Sequence, residues 1–485
     1  MASQLYRLFN LCWRNGQVPG DWCKAVIVPL YKGKGSRQDC INYRGISLLS
    51  VVGKLYAKVL IERVVNETDE KVWDAQAGFR KGMGCTDQVF SLRCIVEKYL
   101  AINKKIYCAF VDLEKAYDRV VRNELWSALS MNGVSSILIR ALQSLYRDSS
   151  ACVRINGAYT EWFNIEKGVR QGCVASPWLF NLFMNNCLTD LKENESGLRM
   201  NELLVKCFLY ADDQVLLASS AEELQEMVTA MGVAFVRKGM KMNVKKTKVM
   251  VFERDEAVTH CNIVIGDEQI EQVNEFVYLG SKFTRDGKYE SDIERRVNAG
   301  NMVNGALHSF MNSRKVSNKA RLAVHEGVLV PTLMYGSESW VWQKKHESRI
   351  NAVEMRALRS MLEVKLSDRI RNSEIRKRCG LKEDVVTKIE KSMLRWFGHV
   401  ERMNEERLTK KVYKASVNGS VGRGRPMRTF QYQIRDVLKK GQVKSTLNRR
   451  ACMKGIMKVD EAKQVCKDRS KWKEVVSAYP YGKEA

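Results

Sequence analysis

Two adjacent aspartates between two short apolar runs constrain this 485-residue chain more than any other feature. The runs cover residues 207–210 and 215–218, and their near-continuous hydrophobicity predicts strands buried on both faces. Only a short polar pair separates them, which predicts a β-hairpin with Asp212 and Asp213 at or beside its turn. Neighbouring ionised carboxylates repel each other, so hard divalent cations with oxygen ligands would suit this position. Aspartate is also common in ordinary solvated turns, and these residues alone do not separate the two alternatives.

A third carboxylate strengthens the case for a metal site. The run 106–113, which is apolar apart from Asp112, predicts another buried strand ending in a carboxylate, and a helix over residues 220–238 and a strand over 248–252 come later. This order is typical of an α+β fold in which helices pack on one face of a small antiparallel sheet. Asp112 can then lie beside the hairpin, and three carboxylates at one sheet edge are what two-metal phosphoryl transfer requires.

The charge balance predicts a polyanionic partner. Lysine and arginine exceed aspartate and glutamate by 26, and the pI is near 9.5. Residues 401–485 carry 22 basic and 9 acidic side chains, so half of the excess lies in this last part of the sequence. No apolar run approaches the ~18 residues of a membrane span, so we expect no membrane contact. The cysteines lack zinc-binding spacing, so we expect no zinc and an intracellular protein with reduced thiols.

Several further motifs accompany the acids in a characteristic order. They are residues 42–49, 110–118, 168–172 with 176–177, 210–213, 243–247 and 278–280. Together they resemble the reverse transcriptases of LINE-type, non-LTR retrotransposons, over roughly residues 20 to 430. The resemblance implies a right-hand polymerase of the α+β class, with fingers, a palm built on an antiparallel sheet, and a thumb, followed by a helical, basic C-terminal region. The expected divisions are a residual N-terminal segment (1–23), fingers and palm (24–284), a helical thumb with its extension (285–403) and the basic C-terminal region (404–485).

The resemblance also implies roles for individual residues. Asp112, Asp212 and Asp213 match the metal-binding catalytic aspartates, which would hold two Mg²⁺ ions, with Mn²⁺ as the alternative. Lys246 matches a general acid for the departing pyrophosphate. The positions that match contacts to the incoming nucleotide are Lys32 (with Lys34 close by), Arg44, Tyr117, Gln171 and Gly172. Tyr117 would close against a sugar 2′-hydroxyl and so select deoxynucleotides. The positions that match contacts to the primer end are Tyr278, Leu279 and Gly280. Arg423 and Arg425 lie in a basic, glycine-broken stretch that suits contacts to nucleic-acid phosphates.

The function that these features predict is an RNA-directed DNA polymerase acting on an RNA template, a DNA primer and dNTPs, in the nucleus by analogy with the family. Complete elements carry an endonuclease upstream, whereas this sequence begins barely twenty residues before the first fingers strand. A truncated, catalytically silent nucleic-acid-binding protein is therefore the alternative, although such a protein would tolerate loss of the acids. A reverse transcriptase of another lineage, from a mobile intron or a telomerase, is a third interpretation.

Overall fold

Short strands between residues 24 and 272 form two larger sheets. The computed structural model describes residues 2–254, 257–313, 315–420, 427–440 and 457–479. The strands are β1 (Lys24–Tyr31), β2 (Tyr43–Leu48), β3 (Ile106–Val111), β4 (Ser150–Ile155), β5 (Ala158–Tyr159), β6 (Phe163–Asn164), β7 (Leu198–Met200), β8 (Leu203–Val205), β9 (Cys207–Tyr210), β10 (Asp213–Ala218), β11 (Lys248–Phe252), β12 (Val264–Ile265), β13 (Glu268–Gln269), β14 (Glu271–Gln272), β15 (Glu275–Tyr278) and β16 (Ser281–Thr284). The strands predicted at 106–113, 207–218 and 248–252 are confirmed, although the first ends at Val111, before Asp112.

Helices make up most of the remaining structure, and all of the regular structure after residue 284 in the described ranges. They are α1 (Ala2–Asn15), α2 (Val51–Thr68), α3 (Cys85–Ala101), α4 (Ala116–Arg119), α5 (Arg122–Met131), α6 (Ser136–Tyr146), α7 (Ser176–Cys187), α8 (Thr189–Glu193), α9 (Ala221–Arg237), α10 (Glu290–Ala306), α11 (His308–Met311), α12 (Asn318–Val324), α13 (Val330–Met334), α14 (Lys344–Met361), α15 (Asn372–Arg378), α16 (Val385–Glu401), α17 (Leu408–Lys414), α18 (Phe430–Lys440), α19 (Val459–Cys466) and α20 (Arg469–Ser477). Within the described residues, none of these helices has the length and apolar character needed to cross a bilayer.

The central sheet has the strand order β14-β11-β3-β10-β9 and carries all three predicted catalytic acids. Strand β3 lies between β10 and β11 and is antiparallel to both, while the added strand β14 runs parallel to β11. The second sheet has the order β2-β1-β4-β5, with β6 also paired to β4. Two of the predicted nucleotide-binding residues lie next to or on this sheet, Lys32 after β1 and Arg44 on β2.

Helices cover both faces of the central sheet. One face packs against α3 and the later helices through Cys108, Phe110 and Met250. The other packs against α2, α5, α6, α7 and α9 through Ala109 and Leu216. The expectation of helices on one face is therefore wrong, because consecutive residues of β3 and β10 are apolar and each face must be shielded from water.

The later helices share a hydrophobic core with the sheet. A single cluster joins α3 and the sheet to α10, α14, α16 and the described C-terminal helices α18 to α20. Packing is thus continuous across residues 284 and 403, where we expected domain boundaries. The division into four segments stays a prediction. Arg423 and Arg425 lie outside the described residues, so their contact with nucleic acid also stays a prediction.

Candidate active site

The two neighbouring aspartates lie at a tight turn between β9 and β10. Asp213 pairs with Tyr210 across the hairpin, so the connection consists of only two residues, Ala211 and Asp212. Two-residue connections are the commonest in β-hairpins because their twist matches that of the strands. The local pattern therefore predicted both the hairpin and the position of its acids.

Asp112 lies beside this turn. Strand β3 pairs antiparallel with β10 through Val111 and Gln214, so the register continued by one residue brings Asp112 opposite Asp213. The backbone N–H of Asp112 donates to the Thr247 hydroxyl (3.2 Å), and its carbonyl accepts from the Asn243 N–H (2.8 Å). The turn before β11 thus holds both backbone groups of this aspartate.

The pKa values of Asp212 and Asp213 are raised by burial and by neighbouring carboxylates. Burial and then the charge of Asp112 raise the pKa of Asp212, while Arg44 and Lys246 act in the opposite direction. Asp213 keeps accessible surface, yet the protein packed around its carboxyl and the charges of Asp212 and Asp112 raise its pKa to about 6. Negative charge at this edge of the sheet is therefore only partly neutralised by the protein's own cations.

The donor atoms at this edge fit a hard divalent cation. The Oδ2 atom of Asp112 is buried and accepts no hydrogen bond, and its close cation is the Lys246 ammonium at 3.3 Å. Carboxylate oxygens are the ligands that Mg²⁺ and Mn²⁺ prefer. Among the described residues, no three His, Cys, Asp or Glu side chains are grouped tightly enough to hold a metal ion as they stand. The predicted set of Asp112, Asp212 and Asp213 supplies oxygen donors of the kind that such an ion prefers.

Tyr117 lies close to the acids. Its ring stacks on Phe180 of α7, with 4.5 Å between the ring centres and 17° between the planes. Burial raises the pKa of Tyr117, and the charges of Asp212 and Asp213 raise it further. A rigidly packed ring beside the carboxylates is the arrangement needed to exclude a sugar hydroxyl from this position.

The predicted fingers cations differ in their surroundings. Arg44 on β2 is near enough to Asp212 to lower the pKa of that carboxyl. Lys32 follows β1, and its ammonium donates to the carbonyl of Ile41 (2.7 Å) across the exposed loop between β1 and β2. The structure thus brings Arg44 to the acids and turns Lys32 toward its own loop.

Gln171 and Gly172 connect the fingers to the acid-bearing sheet. The carbonyl of Gln171 accepts from the N–H of Ser47 at 2.9 Å, and its side-chain amide lies 3.5 Å from a carboxylate oxygen of Asp118. A β-carbon on Gly172 would lie 2.6 Å from the Ser47 carbonyl oxygen, and its φ of +115° also favours glycine. Both residues therefore lie where β2 meets the segment that carries Tyr117.

The hairpin of β15 and β16 contacts the site from the other side. Tyr278 is buried, and its pKa is raised by burial and then by the charge of Asp213. The carbonyl of Leu279 accepts from the Tyr335 hydroxyl (2.9 Å), and that of Gly280 accepts from Arg295 (2.8 Å). The sequence patterns did not indicate Arg295 on α10 or Tyr335 at the end of α13, since hydrogen bonds to backbone carbonyls leave no periodicity in the sequence.

Comparisons with known proteins agree with this geometry. Residues 32–283, more than half of the chain, match the model of the family described as reverse transcriptase (RNA-dependent DNA polymerase). The probable RNA-directed DNA polymerase from transposon BS of Drosophila melanogaster is 26% identical over 73% of this chain and 40% of its own length. The Pol polyprotein of the type-1 element R2 of Nasonia vitripennis is 25% identical over 59% of this chain and 28% of its own length. The chain thus spans less than half the length of these relatives.

Solved structures are more distant. Apo telomerase from Candida tropicalis aligns over 86% of this chain and 73% of its own, with a TM-score of 0.40 and 10% identity. The assignment rests instead on the match to the family model and on the curated relatives. The chain belongs to the reverse transcriptase (RNA-dependent DNA polymerase) family.

Proposed function

We propose that this protein is the RNA-directed DNA polymerase of a non-LTR retrotransposon, acting in the nucleus, where it extends a DNA primer with dNTPs on an RNA template. The observation that carries the proposal is the position of Asp112 opposite the turn that bears Asp212 and Asp213. Tyr117, Arg44 and the family match support it. The excess of 26 basic side chains supports binding of a nucleic-acid duplex.

Reverse transcriptases generally use divalent metal ions, and the carboxylates of Asp112, Asp212 and Asp213 would hold two Mg²⁺ ions here, or two Mn²⁺ ions. When bound, these ions activate the attacking 3′-hydroxyl and stabilise charge on the leaving oxygen. The protein's own part is to position the reactants. Arg44 neutralises triphosphate charge, and the Lys246 ammonium can give a proton to departing pyrophosphate.

Primer extension tests this proposal. We expect purified protein to add dNTPs to a DNA primer annealed to RNA when Mg²⁺ is present, and to stop when EDTA removes the metal, because neither the hydroxyl nor the leaving oxygen is then activated. Asp212→Asn protein purified in the same way serves as the control for contaminating polymerases, because a contaminant would keep its activity in that sample. Salt-sensitive RNA binding without extension would contradict the proposal and favour the silent binding protein.

The selectivity for deoxynucleotides should depend on the ring of Tyr117. We expect Tyr117→Ala to reduce discrimination against ribonucleotides by roughly 10–100-fold, since truncation opens space beside Phe180 for a 2′-hydroxyl. The measurement is kcat/KM for matched dNTP and rNTP incorporation. Tyr117→Phe is the matched control, because it keeps the ring and should keep the selectivity. Equal selectivity in the alanine variant and the wild type would exclude Tyr117 as the discriminating residue.

A further inference from the structure

The turn that carries Asp212 has a backbone conformation that its sequence does not favour. Ala211, the first residue of the turn, has a φ of +56° and is buried. L-residues other than glycine, asparagine and aspartate rarely adopt this left-handed conformation, because the β-carbon approaches the following carbonyl oxygen. Such a conformation persists only where surrounding contacts impose it. Some other part of the chain must therefore hold this turn in place.

Gln76 supplies the direct contact to the turn. Its side-chain carbonyl oxygen accepts from the N–H of Ala211 (2.9 Å) and from the N–H of Gly78 (2.8 Å). The glutamine is only 3% exposed, so both N–H groups are shielded from water and depend on this oxygen. One neutral side chain thus fixes the strained residue without adding charge to a site already rich in carboxylates.

The segment around Gln76 is itself paired to the catalytic hairpin. The N–H of Leu209 on β9 donates to the carbonyl of Ala75, and the carbonyl of Leu209 accepts from the N–H of Ala77, both at 2.9 Å. The Gln88 side-chain amide donates to the carbonyls of Ala75 (2.9 Å) and Leu209 (3.0 Å). This segment therefore extends the edge of the central sheet beside β9.

Gly78 completes the contact by allowing close approach. A β-carbon at this position would lie 2.5 Å from the backbone nitrogen of Ala211. The carbonyl of Gly78 accepts from the side-chain amide of Asn181 on α7 (2.6 Å). Gly78 thus packs directly against Ala211 of the turn, with no room for an added methyl group at position 78.

From these contacts we infer that Gln76 is a positioning residue of the polymerase site. It sets the conformation of the turn that bears Asp212, and together with Gly78 it forms a brace against Ala211. The effect of this brace on catalysis rests on the proposed function, whereas its effect on the conformation of the turn does not. The brace holds the Asp212 carboxylate at the edge of the sheet beside Asp112. Since a displacement of about 1 Å costs roughly 100-fold in rate, small movements of the turn are sufficient to impair catalysis.

The test is Gln76→Met, which has nearly the same volume but leaves the Ala211 N–H without its acceptor. We expect kcat for primer extension to fall by roughly 10–100-fold and the Mg²⁺ concentration for half-maximal rate to rise, with the affinity for primer and template unchanged. Gly78→Ala is the second variant, and its added methyl should have the same effect on kcat. Hydrogen exchange of the Ala211 amide in metal-free protein gives a readout independent of activity, and we expect exchange to accelerate at least about 10-fold.

Gln433→Met is the matched control. Gln433 is also a buried glutamine whose side-chain oxygen accepts a backbone N–H, that of Trp342 (3.2 Å), but it lies on α18 away from the turn. The Gln433→Met substitution should leave kcat, the Mg²⁺ dependence and exchange at Ala211 unchanged.

If the Ala211 amide exchanges in Gln76→Met as slowly as in the wild type, Gln76 does not hold the turn. Faster exchange with unchanged kcat and Mg²⁺ dependence would overturn the positioning role. An inactive wild type would refute the proposed function, while exchange at Ala211 would still decide whether the brace exists.

Discussion

Replacement of Asp112 or Asp212 by asparagine should reduce primer extension by at least about a thousand-fold. Each substitution keeps the shape of the side chain but removes a charged oxygen ligand from the edge of the sheet. Metal ions stabilise the charge of the transition state by several kcal/mol, and each 1.36 kcal/mol corresponds to a factor of ten in rate. The measurement is single-turnover incorporation of one dNTP with Mg²⁺ in excess. Binding of the primer–template duplex should remain, since basic side chains contribute most of its affinity.

Thermal unfolding gives the control for misfolding of these variants. The pKa of Asp212 is raised in the folded protein, so its ionised form lowers stability at pH values above that pKa. Asp212→Asn should therefore unfold at a higher temperature than the wild type at neutral pH, and the difference should shrink as the pH falls through the raised pKa. Glu114→Gln, two residues from Asp112 and ion-paired with Arg119 at 2.9 Å, should keep extension within about threefold. Full activity in Asp212→Asn would show that the catalytic site lies elsewhere.

The acid-bearing hairpin was predictable because its determinants are local. The two apolar runs predict two strands, and the polar pair between them predicts a turn. The apolar residues before Asp112 predict the neighbouring strand in the same way. The proximity of Asp112 to the turn requires in addition the order of strands in the sheet. That order followed from the sequence of elements and from the family resemblance, and the register of β3 and β10 agrees with it.

The supporting contacts were not predictable from the same patterns. Gln76 and Thr247 reach the site through hydrogen bonds to backbone groups more than a hundred residues away, and such contacts leave no periodicity in the sequence. A glycine-punctuated loop at residues 76–84 was visible, but nothing local indicated that Gly78 packs against a turn near residue 211. The nucleotide contact of Lys32 stays a prediction. Its ammonium donates to the carbonyl of Ile41 within its own loop, a local contact that charge and motif order did not indicate.

A buried charge cluster joins the palm to the later helices. Asp292 at the start of α10 is fully buried and accepts from Arg93 of α3 (2.7 Å), from the indole N–H of Trp340 (2.9 Å) and from the backbone N–H of Lys282 (2.7 Å). The Arg93 guanidinium also lies 4.4 Å from the ring centre of Tyr289. One carboxylate thus connects helix α3, strand β16, helix α10 and the segment before α14.

Asp292→Asn should destabilise the protein by about 3–5 kcal/mol, because it removes the negative charge that compensates a buried guanidinium while leaving that guanidinium in place. The measurement is the free energy of unfolding from urea titration, followed by a probe in the palm and a probe in the later helices. Glu294→Gln is the matched control on the same helix. Its exposed ion pair with Arg349 should contribute at most about 1 kcal/mol. A loss as small as that of the control would contradict the role of Asp292. A large loss seen by both probes would show that the helices after residue 290 unfold together with the sheet that carries the acids.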